Sequence, residues 1–181
     1  MKLSFVPLML VSSALSALIL SACAASPVVP TREEADRDRD PAPRAGERTA
    51  QVFFFSEAND VVGIAPSLLS VSRTVSQTRP AHGVMDAMLK GPRASEEKAG
   101  LSFVSSGITG YHGLKVENGC AEIYLEGTCA PDAALSVTIA DLILPSLKQF
   151  PTVQYVHIYG PDGSTENPGA AKDSLPACLK R

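Results

Sequence analysis

The sequence predicts an α+β domain in which two main helices pack on one face of a small mixed β-sheet. Three observations carry that prediction. Runs rich in β-formers recur at Gln51–Phe55, Leu69–Ser76 and Thr152–Tyr159. Two other stretches, Ala81–Lys90 and Asp132–Phe150, hold apolar residues at helical spacing. An Asn118-Gly119 turn joins two further strand-like runs into a hairpin. The order is strand, strand, helix, hairpin, helix, strand, a mixture that fits helices layered on a sheet.

Each element has its own reason. Gln51-Val-Phe-Phe-Phe55 is dense enough in β-formers to be a buried strand, and Glu57–Asp60 reads as a turn before an edge segment at Val61–Ile64. Leu69–Ser76 alternates strictly, with Leu69, Val71, Arg73 and Val75 on one face. Arg73 therefore stands in an apolar row and needs a partner or a route to solvent. In the first helix Val84, Met85, Met88 and Leu89 form one stripe, and Gly91-Pro92 stops it. Ala94–Ala99 makes a further turn or two, with Glu96 and Glu97 early, where the helix dipole favours them, and Gly100 closing it. Gly113–Val116 and Cys120–Leu125 are the arms of the hairpin. The second helix carries Leu135, Ile139, Leu142, Ile143, Leu147 and Phe150 at the 3.6 period, with Pro145 inside it removing one backbone bond. Thr152–Tyr159 alternates Val153, Tyr155, His157 and Tyr159 against Gln154, Val156 and Ile158, and Gly160–Gly163 ends it.

Ahead of the domain, Met1-Lys2 precedes an apolar run from Leu3 to Leu20 that is diluted by four serines and one proline. It ends in Leu20-Ser-Ala-Cys23, which reads as a lipobox: residues 1–22 as a lipoprotein signal peptide, Cys23 as the lipidated N-terminus. Diacylglyceryl and a further acyl group such as palmitate supply two or more chains. Each buried methylene adds about 0.8 kcal/mol, and one chain alone anchors only marginally. An ordinary secretory signal is the competing reading. Residues 23–48 interleave both signs of charge in Thr31–Asp40 and then turn Pro-rich, so they read as a disordered tether. The domain spans residues 49–163 and an irregular tail spans 164–181. The expected location is the extracytoplasmic face of a bacterial membrane, or the outer membrane where the cell has two.

Sixteen basic against nineteen acidic residues leave a net charge of −3, which argues against a nucleic-acid partner. The absence of Trp makes stacking platforms scarce. Beyond Cys23 three cysteines remain, in a compartment where disulfides persist. Cys120 and Cys129 flank an extended run that covers about 30 Å, whereas a bridge needs Cα atoms within about 7 Å. Cys129–Cys178 is therefore the expected disulfide, tying the tail to the domain. No CxxC or HxxxH spacing accompanies these cysteines, so no metal site and no cofactor are expected.

Leu89-Lys-Gly-Pro-Arg-Ala-Ser-Glu-Glu-Lys-Ala-Gly-Leu101 closely resembles the central signature of the GerMN domain family, L-x-G-P…E-E…G-L. The matching positions are Leu89, Gly91, Pro92, Glu97, Gly100 and Leu101, with Arg73 on the preceding strand. Around them, Val52–Phe55, the hairpin strand Ala121–Leu125, the helix end Leu147–Pro151 and Val153–Ile158 follow in the family's order. Pro145 and the cysteines depart from its pattern. The resemblance implies a fold similar to ring-building motif domains. It also implies no catalytic residues, and an interaction or assembly role outside the cytoplasmic membrane. One member of the family is linked to sporulation and germination.

Candidate chemistry outside that motif is sparse. His82, His112 and His157 have no neighbouring nucleophile motif such as G-x-S-x-G, so structural or surface roles fit them better than general-base roles. Glu96 and Glu97 are adjacent and point different ways on a helix, which suits helix-start electrostatics rather than an acid/base pair. Arg73 reads as bonded to the hairpin or a helix C-terminus, with anchoring of a ligand carboxylate as the sharper alternative. The favoured expectation is a non-enzymatic lipoprotein that binds another envelope protein or itself. Its rivals are a peptidoglycan-binding module and, last, an envelope hydrolase.

Overall fold

A computed structural model of the chain describes Asp40, residues 42–61 and residues 67–180, all within the compact unit Thr31–Arg181. The lipobox cysteine Cys23, the signal segment, most of the tether and the expected edge segment at Val62–Ile64 lie outside the described residues. The fold is α+β, and its strands form two three-stranded sheets.

The first sheet has the order β2-β1-β3 and is antiparallel throughout. Its strands are β1 (Glu47–Ser56), β2 (Leu68–Ser76) and β3 (Leu101–Ser102). Val52, Phe54 and Phe55 of β1 are fully buried or nearly so, as their apolar density requires. The two-residue β3 pairs only with Phe55 and Ser56, so among the described residues most of that β1 edge has no strand beside it. Side chains close the gap. Gln149 accepts from the Gln51 N–H and donates to the Gln51 carbonyl, both at 2.7 Å, and Ser146 accepts from the Phe53 N–H at 3.3 Å.

The second sheet has the order β4-β5-β6, with strands β4 (Ile108–Glu117), β5 (Cys120–Gly127) and β6 (Tyr155–Tyr159). The expected hairpin β4–β5 turns at Asn118 and Gly119, whose φ angles of 50° and 83° are those an Asn-Gly turn supplies at least cost. β6 returns parallel to β5. Ala121, Ile123, Leu125, Val156 and Ile158 form the buried face.

Among the described residues there are four α-helices, α1 (Glu57–Val61), α2 (Pro80–Leu89), α3 (Ala94–Lys98) and α4 (Ile139–Lys148), and a 3-10 turn at Ala177–Leu179. α2 buries Ala81, Val84, Met85 and Met88, packs on β1 and β2 and reaches β4. Its Gly83 is held against β2, where a Cβ would meet Val75 Cβ at 2.7 Å. α4 packs on β1 and β6 and touches α2.

Several boundaries differ from the sequence reading. Glu57–Asp60 is helical rather than a turn. α4 starts at Ile139, not near Asp132. The reason is a capping box, in which the Thr138 N–H donates to the Asp141 carboxylate at 2.7 Å. Pro145 lies inside α4, and the helix continues across it. The C-terminal segment is tied down: Ser174 bridges to His157 beside β6, Leu179 is buried, and a disulfide joins Cys129 to Cys178 with Cα atoms 6.0 Å apart.

Candidate functional site

The signature residues converge on one groove. Leu89 ends α2, and Gly91, at φ 81°, turns the chain where a side chain would be strained. Pro92 leads into α3, and Gly100, at φ 85°, releases it into Leu101 of β3. These five residues and Glu97 line a single cavity of about 560 Å³. Two turns with positive φ, separated by a short helix, fold the segment around that space. Glu57 of α1, Lys90, Ser102 and Phe103 complete its wall.

Arg73 does not enter the groove; it holds the segment from behind. Its guanidinium makes a bidentate pair with Glu96, at 2.7 and 2.5 Å, and a third bond to the Ser72 carbonyl at 3.0 Å. It also lies 5.9 Å above the centre of the buried Phe54 ring. The partner is thus a helix N-terminal glutamate, neither the hairpin nor a helix C-terminus. Burial works to raise the Glu96 pKa. The Arg73 bond, the Arg93 backbone N–H and the charges of Arg73 and Arg93 outweigh it and hold the carboxyl below the ordinary glutamate range. Arg93 in turn pairs with Asp40, which also accepts from the Thr74 N–H at 2.6 Å. Adjacent glutamates therefore take different roles: Glu96 is locked to Arg73, and Glu97 faces the groove.

A second constellation lies on the outer face of the other sheet. The β4-β5-β6 register sets Lys115, Glu122 and His157 in one row, Glu117, Cys120 and Tyr155 in the next, and Gly113, Tyr124 and Tyr159 on the other side. Tyr124 and Tyr159 stack with ring centres 4.5 Å apart. Gly113 accommodates the first ring, since a Cβ there would approach Tyr124 Cδ2 to 3.2 Å. The first two rows line a cavity of about 290 Å³. Cys120 is the free cysteine among the described residues. Burial first, then the negative charge of Glu122, push its thiol pKa up, while the His157 backbone N–H opposes them.

The histidines separate clearly. His112 is largely exposed beside Glu126, and His82 is half-buried near Tyr111. Desolvation and the nearby Arg79 lower the His82 pKa. His157 is different, only 3% exposed with an Nδ1 that has no hydrogen-bond partner. Sequence reasoning placed it correctly among alternating tyrosines but assigned it no neighbours. The missing signal is the i, i+2 pair Cys120 and Glu122, which becomes informative only once β6 is known to lie beside β5.

No family model matches the chain, and no curated protein matches it. Among solved structures, the tandem GerMN domains of the sporulation protein GerM from Bacillus subtilis are similar over 78% of this chain and 50% of that one. The TM-score is 0.45 at 14% identity. The match therefore spans half of that tandem chain's length.

Proposed function

We propose that this chain is a GerMN-like, non-catalytic interaction module of the bacterial envelope, carried as a lipoprotein on Cys23. One observation carries the reading: Leu89, Gly91, Pro92, Glu97, Gly100 and Leu101, the residues of the recognised signature, form one groove instead of being scattered through the core. Conformations that demand glycine at 91 and 100 shape that groove. The neighbouring partly buried ion pair holds it in place. Such a preformed concavity, with Leu89, Leu101 and Phe103 beside the charges of Glu57, Lys90 and Glu97, suits capture of a segment of another envelope protein. Among the described residues no helix is long and apolar enough to cross a membrane. A peptidoglycan-binding module that used Arg73 to anchor a carboxylate would have to displace Glu96 from that guanidinium.

The test is crosslinking in intact cells with the full chain at native expression, using a photoreactive residue at Ser102 in the groove wall. Discrete adducts that disappear with Glu97→Arg are expected. A monomeric chain without adducts would overturn the reading. In parallel, Cys23→Ala is expected to move the protein from the membrane fraction to the soluble exported fraction.

A further inference from the structure

We propose that Cys120, Glu122 and His157 form a zinc(II) site on the outer face of the β4-β5-β6 sheet, with its fourth position open to the adjoining cavity. The placement follows from sheet geometry. Cys120 and Glu122 are two apart on β5 and so share a face, and the parallel register sets His157 directly beside Glu122. One potential ligand atom from each of the three lies within 4.8 Å of the other two. Ligand bonds of about 2.0–2.3 Å on a tetrahedral zinc put donor atoms roughly 3.5 Å apart. Small rotations of the Cys120 and Glu122 side chains, both only partly buried, supply the difference.

His157 provides the second, independent observation. Its Nε2 lies 2.9 Å from the Ala170 carbonyl and 3.2 Å from the Lys172 carbonyl. Carbonyls only accept, so Nε2 carries the proton and Nδ1 presents a bare lone pair. That Nδ1 is buried and has no hydrogen-bond partner. A ring held by one N–H on backbone carbonyls, with the other nitrogen free to accept, is the arrangement that fixes the tautomer of a metal-binding histidine. The donor set selects the metal class. One thiolate, one imidazole and one carboxylate suit a borderline divalent ion, whereas magnesium and calcium prefer all-oxygen shells. Binding transfers the Cys120 thiol proton to solvent, and the thiolate and the Glu122 carboxylate then balance the two charges of the ion. Lys115 is engaged with Glu117 at 2.8 Å, which turns its ammonium toward another carboxylate.

The experiment is calorimetric titration of the full, disulfide-intact chain with zinc chloride, after thiol titration has shown Cys120 to be reduced. Cobalt(II) is titrated separately to read thiolate ligation from its charge-transfer absorption. The expected result is one zinc per chain, undisturbed by excess magnesium, with a cobalt–thiolate band. Cys120→Ser abolishes the band, and Glu122→Gln weakens zinc binding by roughly tenfold or more. His157→Gln should do the same. If that buried substitution prevents folding, the Cys120 and Glu122 variants still decide. No saturable zinc binding, or binding undiminished in Cys120→Ser, would overturn the proposal.

Discussion

The two sheets each bury one ionisable side chain almost completely, and they treat it in opposite ways. On β2, Arg73 is 6% exposed and engaged by two bonds to Glu96, one to a carbonyl and the face of Phe54. On β6, His157 is 3% exposed and engaged on one side only. A buried charge paired with a carboxylate is a structural fastener, because removing one partner takes the counter-charge from the other. A buried acceptor with none of its bonds made is a cost the fold bears at that point, and such costs cluster where a ligand is received. Position in an apolar row singled out Arg73 in the sequence. Only satisfaction, read from the structure, separates the fastener from the receptor.

The largest expected effect tests whether the C-terminal segment serves the His157 side of this contrast. The Cys129–Cys178 bridge closes a loop with a sequence separation of 49. Replacing both cysteines with serine is expected to cost about 4 kcal/mol in urea unfolding, from the chain entropy regained by the unfolded state. The same segment supplies the Ala170 and Lys172 carbonyls that orient the His157 ring. Hydrogen exchange should therefore show selective opening of residues 165–180 and the β6 edge. Protection there equal to the parent's would mean that the bridge is not what holds the ring's partners.

The next effect tests the fastener. Arg73→Ala leaves the partly exposed Glu96 with the Arg93 N–H and charge alone and is expected to destabilise the chain by about 2 kcal/mol, whereas Arg73→Met combined with Glu96→Leu should lose less. The pH dependence has a definite sign. Because the folded-state pKa of Glu96 is depressed, its contribution is full above the unfolded glutamate value of about 4.3 and disappears as pH falls through the folded value. The gap between wild type and Arg73→Ala should thus be widest above about pH 4.3 and narrow on acidification. A gap independent of pH would remove Glu96 from the account.

How much of this was legible depended on whether a residue's partners were near in sequence. Val52–Phe55 and the Asn118-Gly119 hairpin announce themselves through composition and turn chemistry. The start of α4 was also written in the chain, as Thr138 followed three residues later by Asp141, but the apolar period running back to Leu135 masked it. α1 was hidden because Glu57-Ala-Asn-Asp60 carries no apolar stripe. β3 was hidden because two residues have no period and are a strand only by pairing with Phe55 and Ser56. The Cys129–Cys178 pairing was readable because a strand keeps Cys120 and Cys129 apart. The Glu96 partner of Arg73 and the cluster around His157 were not readable. Each joins residues from different elements through a packing or register that local pattern does not encode.

The smallest expected effect sharpens the comparison most. If the outer face of β4-β5-β6 is there to receive a ligand, its polar residues should be dispensable for folding. Cys120 is partly exposed, and Glu122 points from the same face into a cavity of about 290 Å³, so neither fills the core formed by Ala121, Ile123 and Leu125. Cys120→Ser and Glu122→Gln, measured without metal, are each expected to change unfolding free energy by less than about 0.5 kcal/mol. Glu122→Gln also removes a negative charge that opposes thiol ionisation, so the Cys120 thiol should titrate at lower pH in that variant. A near-zero stability change beside a shifted thiol titration marks side chains that sense one another without holding the fold together. A loss approaching that of Arg73→Ala would instead make this face a second fastener, and the contrast between the two sheets would collapse.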